Sequence, residues 1–184
     1  MPDKNGEIQE QLIKKAIDGD QKAMYRLYKL YVQAMYNICI RMVPNRFDAE
    51  DLVQETFISA FNKLDDYRGD ASFGAWIKRI AINKSLNFLR KKKVEFTGLE
   101  QVKSYTTENE DMETNNIPPG KIHEAIKLLP DKARVILNLY LLEGYKHKEI
   151  AGMLNISEST SKSQYQRAKE LLRDKLKNEI SYES

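Results

Sequence analysis

Apolar residues return every three or four positions through most of the chain, so the pattern predicts helices. Between Glu7 and Asp18, the residues Ile8, Leu12, Ile13, Ala16 and Ile17 form one face of a short helix, which Gly19-Asp20 ends while capping the next. From Gln21 to Met42 the apolar positions Met24, Leu27, Tyr28, Tyr31, Met35, Ile38, Cys39 and Met42 keep the helical period, until Pro44 forbids continuation. Asp48 is expected to open a third helix, with Glu50 and Asp51 in its first turn, where negative charge suits the exposed amides. Its inward face is Val53, Phe57, Ala60, Phe61 and Leu64. Residues 65–70 read as a loop, and Ser72 as the cap of a fourth helix reaching about Lys92, with Phe73, Trp76, Ile77, Ile80 and Ala81 inward.

The period lapses over residues 94–120, where acidic and amide residues dominate and Pro118-Pro119-Gly120 closes the stretch. This segment is expected to be a flexible acidic linker. Beyond it Ile122, Ala125, Ile126 and Leu129 start a second helical core, which Val135, Ile136, Leu139 and Tyr140 continue up to Gly144. Ile150, Ala151, Leu154 and Ile156 then form an apolar set ending at Asn155-Ile156-Ser157, a turn too short for an antiparallel return. Ser161, Tyr165, Ala168, Leu172 and Leu176 give the helix from about Ser159 to Lys177 its inward face, so Lys162, Ser163, Gln166 and Arg167 point outward. The expected fold is all-α, with two small helical domains at 5–93 and 121–180 joined by the linker 94–120, the C-terminal one a helix-turn-helix.

Charge sharpens the picture. The formal net charge of the 184 residues is only +3, yet positive residues concentrate in 78–93 and 162–177 with an acidic stretch between, so a near-neutral total hides two basic patches. Met1 to Glu10 is polar and acidic, unlike a secretory signal, and no stretch approaches a bilayer span of about 20 apolar residues, so no membrane insertion is expected. The single cysteine, Cys39, lies in an apolar stripe and excludes a disulfide framework, which suits a cytoplasmic protein. With two histidines, His123 and His147, and no cluster at ligand spacing, no metal or cofactor is expected. Nor is there a phosphate loop or a nucleophile with its base, so no catalytic residue is assigned.

Three faces remain that could meet partners. On the third helix Asp51, Gln54, Glu55, Ile58 and Asn62 recur at helical spacing; a solvated face would read the same way, but the branched apolar Ile58 among acids and amides suits an interface. Around the fourth helix, Tyr67, Trp76, Arg79 and Asn83 combine aromatic, amide and basic groups, the set an unpaired base needs, and Lys84, Asn87 and Arg90 to Lys93 add charge further along. Trp76 fits a core position equally well. The outward face of the last helix is where a helix-turn-helix meets base edges, although an ordinary helical hairpin would give the same spacing. A stand-alone DNA-binding regulator and a protein-interaction adaptor also stay open on these features alone.

The order of the pieces resembles one family, the extracytoplasmic-function sigma factors, the smallest class of bacterial sigma subunits of RNA polymerase. The resemblance rests on Gly19 to Ala23, on Asp48-Ala49-Glu50-Asp51-Leu52-Val53-Gln54-Glu55-Thr56-Phe57, and on Tyr67 to Phe73 followed by Trp76 and Arg79-Ile80-Ala81-Ile82-Asn83. In the second half Leu129-Pro130, Glu143-Gly144-Tyr145, Lys148-Glu149-Ile150-Ala151, Lys162-Ser163 and Arg167-Ala168-Lys169 carry it. It implies a promoter-specificity subunit rather than an enzyme, with core RNA polymerase, promoter DNA and an anti-sigma factor as partners. By resemblance Asp51, Gln54, Glu55 and Ile58 would dock on a coiled coil of the large subunit. Tyr67, Arg68, Arg79, Asn83, Lys84, Asn87 and Arg90 would engage and melt the −10 element. Thr160, Lys162, Ser163, Gln166 and Arg167 would read the −35 element. Ser161, at a position the family usually fills with Val, and Gln164 and Gln166, where basic or aromatic residues are common, depart from the pattern.

Overall fold

The computed structural model describes residues 4–92 and 118–182, and these divide into two compact units within Met1–Leu89 and Arg90–Ser184. Most of the expected linker therefore lies outside the described residues. Those that are described form an all-α architecture. The first unit comprises α1 (Lys4–Ile17), α2 (Gln21–Met42), α3 (Arg46–Asn62), a short 3-10 turn (Leu64–Asp66) and all but the last two residues of α4 (Phe73–Lys91). The second comprises α5 (Pro119–Lys127), α6 (Asp131–Leu137), a π turn (Asn138–Leu142), α7 (His147–Leu154) and α8 (Glu158–Tyr182).

In the first unit α2 packs between α1 and α3. Gly19 turns the chain from α1 to α2 at φ 86°, a conformation glycine adopts without strain. The Asp20 carboxylate then accepts from the amides of Lys22 and Ala23, satisfying donors that the first turn leaves open. The helix start expected at Asp48 falls two residues earlier, because Asn45 is the cap and its side-chain oxygen accepts from the Asp48 amide at 3.1 Å. Asn caps as well as Asp does, and it directly follows the Pro44 break. Leu27, Met42, Phe73, Ile77, Ile82, Leu86 and Leu89 fill the core. Gly74 lets α4 settle on α2, since a Cβ there would come within 2.9 Å of Cε1 of Tyr31. Cys39 is buried among these helices beside the Ser85 hydroxyl, and desolvation pushes its thiol up to about 11, which removes it from nucleophilic chemistry.

In the second unit Pro119 and Gly120, expected at the end of the linker, form the first turn of α5. Proline suits a first turn, where its missing N–H would have had no partner and its φ is already helical. Ala125, Ile126, Leu129, Val135, Ile136, Leu139, Ile150, Leu154 and Ala168 make the core. The helix expected to run to Gly144 loosens at Asn138, where the Glu143 amide reaches back five residues to the Asn138 carbonyl. That shift turns Tyr140 partly out of the core, leaving it 38% exposed. Among the described residues no helix is long and apolar enough to cross a membrane.

Candidate functional site

The turn between α7 and α8 is set by one residue. Asn155 closes α7 in the left-handed region at φ 56°, which Asn tolerates better than most residues, and the Ile156 amide returns to the Ala151 carbonyl at 3.0 Å. Ser157 then caps α8 through the Thr160 amide at 3.0 Å. Ser161, Ala168 and Leu176 are buried, with Tyr165 and Leu172 half-buried beside them. Lys162, Ser163, Gln166 and Arg167 are consequently exposed along the opposite side, while Thr160 is half-buried with its hydroxyl on Ser157 at 2.7 Å. Lys162 pairs with Glu158 at 2.7 Å, and that hydrogen bond and charge hold the Glu158 carboxyl below its usual range. Ser163 donates to the Thr160 carbonyl.

Behind this face lies an arrangement that sequence reading missed. Tyr140 stacks on His147 with centroids 4.3 Å apart and planes 16° from parallel, and Tyr165 meets both rings, at 4.4 Å and 5.6 Å. Nδ1 of His147 lies 3.0 Å from the Ser161 hydroxyl. Lys169 closes the group from outside, 5.3 Å above the Tyr165 ring. Tyr140 lies in the π turn, and a regular helical period gives no sign of its meeting with His147.

In the first unit Asp51, Gln54, Glu55 and Ile58 are all exposed on α3, Ile58 at 61%. Thr56 between them is buried, its hydroxyl donating to the Leu52 carbonyl. Phe47, which the sequence reading left out, is 76% exposed and extends this face by one turn, four residues before Asp51. The spacing 47, 51, 54, 58 could have revealed it.

On α4, Arg79, Asn83, Asn87 and Arg90 are exposed and recur at helical spacing, which makes one polar and basic stripe. Lys84 lies beside it and reaches Glu55 of α3 at 3.3 Å, so one ion pair joins the acidic face to the basic one. Tyr67 is tied down at the head of α4, its hydroxyl donating to the Ala71 carbonyl at 2.7 Å and its ring packing on Phe73 and Trp76. Trp76 is half-buried in this aromatic group, so the core reading accounts for part of its surface and the rest stays open to solvent. Arg68 is exposed on the loop just beyond Tyr67.

Residues 27–95 match the family model for Sigma-70 region 2, and residues 120–172 match that for Sigma-70 region 4. The ECF RNA polymerase sigma factor SigW of Bacillus subtilis is 32% identical over 92% of this chain and 99% of its own length. The ECF RNA polymerase sigma-E factor of Escherichia coli K12 is 30% identical, covering 90% of this chain and 92% of its own. Among solved structures, the sigma factor RpoE of Bartonella quintana, in complex with the anti-sigma factor NepR, aligns with a TM-score of 0.56 at 23% identity over 85% of this chain and 98% of its own. CnrH, in complex with the cytosolic domain of CnrY, aligns with a TM-score of 0.53 at 22% identity, covering 91% of this chain and 96% of its own. At those identities the structural likeness speaks to the fold alone. Two family models in the expected order and relatives matched over almost their whole length show that this chain belongs to the ECF sigma factors, the promoter-recognition subunits of RNA polymerase.

Proposed function

We propose how the two units share the work of this promoter-recognition subunit. Residues 5–93 bind core polymerase and take up and melt the −10 element; residues 121–180 read the −35 element; residues 94–120 link them. The observation that carries this division is the pairing of two unlike faces in the first unit, acids, an amide and an exposed Ile58 on α3 beside a basic and amide stripe on α4. The first has no use for DNA and suits a protein partner, whereas the second suits a phosphate backbone and unpaired bases. Asp51, Gln54, Glu55 and Ile58 are the docking residues. Tyr67, Arg68, Arg79, Asn83, Lys84, Asn87 and Arg90 engage the −10 strand, and Thr160, Lys162, Ser163, Gln166 and Arg167 contact the −35 duplex. The chain supplies recognition and carries no reaction of its own.

Opening of the duplex is the decisive test. Permanganate probing of unpaired thymines on a promoter fragment should show a melted −10 region only when the full chain and core polymerase are both present. Binding by the chain alone to a duplex that stays closed would indicate a stand-alone regulator instead. The proposal also places the protein in the cytoplasm under an anti-sigma factor. Cell fractionation tests the first part, and a competition assay for a protein that displaces core polymerase tests the second.

A further inference from the structure

We propose that His147 and Ser161 are positioning residues for −35 recognition, together fixing the rotation of α8 about its own axis. The inference rests on the reading of α8 given above. Ser161 is fully buried, yet it is polar and lies on the inner side of α8 next to outward Lys162. A buried hydroxyl without a partner costs stability, so a position facing apolar neighbours would ordinarily carry an apolar side chain. Here the hydroxyl meets Nδ1 of His147 at 3.0 Å. His147 is the first residue of α7, and its ring is held between elements, stacked on Tyr140 of the π turn and met edge-on by Tyr165 of α8.

The consequence is directional. Hydrophobic burial is itself non-directional, so at α8 the polar contact adds an angular restraint to the one that the packed side chains supply. A hydrogen bond has a preferred angle as well as a length. Ser161 and Tyr165 are one turn apart on the same side of α8, and both contact His147, so the ring grips the helix at two points. A rotation of about 10° moves side-chain ends at a radius of about 5 to 6 Å by roughly 1 Å. That is enough to spoil a hydrogen bond from Gln166 or Arg167 to a base edge while leaving phosphate contacts, which tolerate more, nearly intact.

The test uses the full chain assembled with core polymerase, and measures binding to promoter fragments with each −35 base pair replaced in turn. Ser161→Ala removes the hydroxyl without adding atoms, and His147→Phe keeps a ring but removes the nitrogen that meets it. Each should flatten the −35 preference by roughly three- to tenfold, the range expected for one hydrogen bond. The double variant should be no flatter than either single one. Preference at −10 and the slope of affinity against salt should not change. Leu154→Ala, at a buried apolar position in the same unit, serves as the control for general loosening. A wild-type −35 profile in folded Ser161→Ala and His147→Phe overturns the proposal, as does equal flattening in Leu154→Ala. Arg167→Ala separates the two levels of the argument: an altered −35 profile there beside unaltered positioning variants leaves the α8 reading standing and removes only the positioning role. An unaltered profile in all three removes both.

Discussion

His147 shows how much of a residue's role depends on neighbours that sequence spacing does not reveal. Its lowered pKa follows first from desolvation and then from the Lys162 charge, with Glu158 pulling the other way. The unfolded chain therefore takes up a proton near the usual value of about 6.5, at a pH where the folded state still resists it. This contribution to stability is complete above that value and is lost as pH falls toward the lower folded value. Melting curves of the wild type and His147→Phe between about pH 7.5 and 5.5 should show a steeper fall for the wild type. Parallel curves would contradict it, since the remaining histidine, His123, is common to both. Arg134 makes the same point about legibility. As a cation in a polar stretch it reads as surface, but it is 3% exposed, donates to the Leu129 carbonyl at 2.7 Å and pairs with Asp131. Satisfying the Leu129 carbonyl in the turn after α5 falls to a side chain five residues on, a turn contact that no helical periodicity encodes.

Whole helices were far more legible, because each buries one face at a fixed period and stops at a recognisable signal. Asp20 and Ser72 cap the helices expected of them, and Ser157, the last residue of the expected turn, caps α8. The start of α3 shifted only because Asn45 and Asp48 are both competent caps. The π turn was not legible, since Val135, Ile136, Leu139 and Tyr140 keep a plausible helical period and the extra residue is accommodated by stacking on His147. Exposure of a helix face is itself predictive. As Asp51 and Gln54 lie outside the core, Asp51→Ala with Gln54→Ala should change stability by no more than about 0.5 kcal/mol per site, while affinity for core polymerase falls severely. Unfolding of this variant with affinity retained would refute the docking role. The α4 and α8 faces should separate in the same manner. Arg167→Ala should cost about 1 to 3 kcal/mol and relax one or two upstream positions if it contacts a base. Asn83→Ala should leave upstream binding intact and impair opening. Equal loss of closed-duplex binding in both variants would show that the division of labour is wrong.

At the scale of the whole molecule, the sequence distinguishes the two units by the lapse of period between them, and the remaining constraint is covalent. Residues 93–117 lie outside the described residues, but whatever path 25 residues follow, they cannot span more than about 80 to 90 Å. Promoter elements one and a half to two turns apart are separated by about 50 to 70 Å at roughly 34 Å per turn. The segment therefore has reach to spare, though not a large excess. Each deletion of four residues removes about 13 to 14 Å. Transcription that needs both elements should thus withstand the first deletions within 105–116 and then fail abruptly, while core binding persists throughout. A steady decline from the first deletion would mean that the segment does more than connect. Its negative charge, in Glu100, Glu108, Glu110, Asp111 and Glu113, supplies the alternative. A neutral Gly/Ser replacement of equal length keeps the reach and removes the charge, so unchanged transcription would assign the segment to reach alone. Loss at full length would mean instead that polymerase offers the acidic chain a basic path, so that charge is needed beside reach.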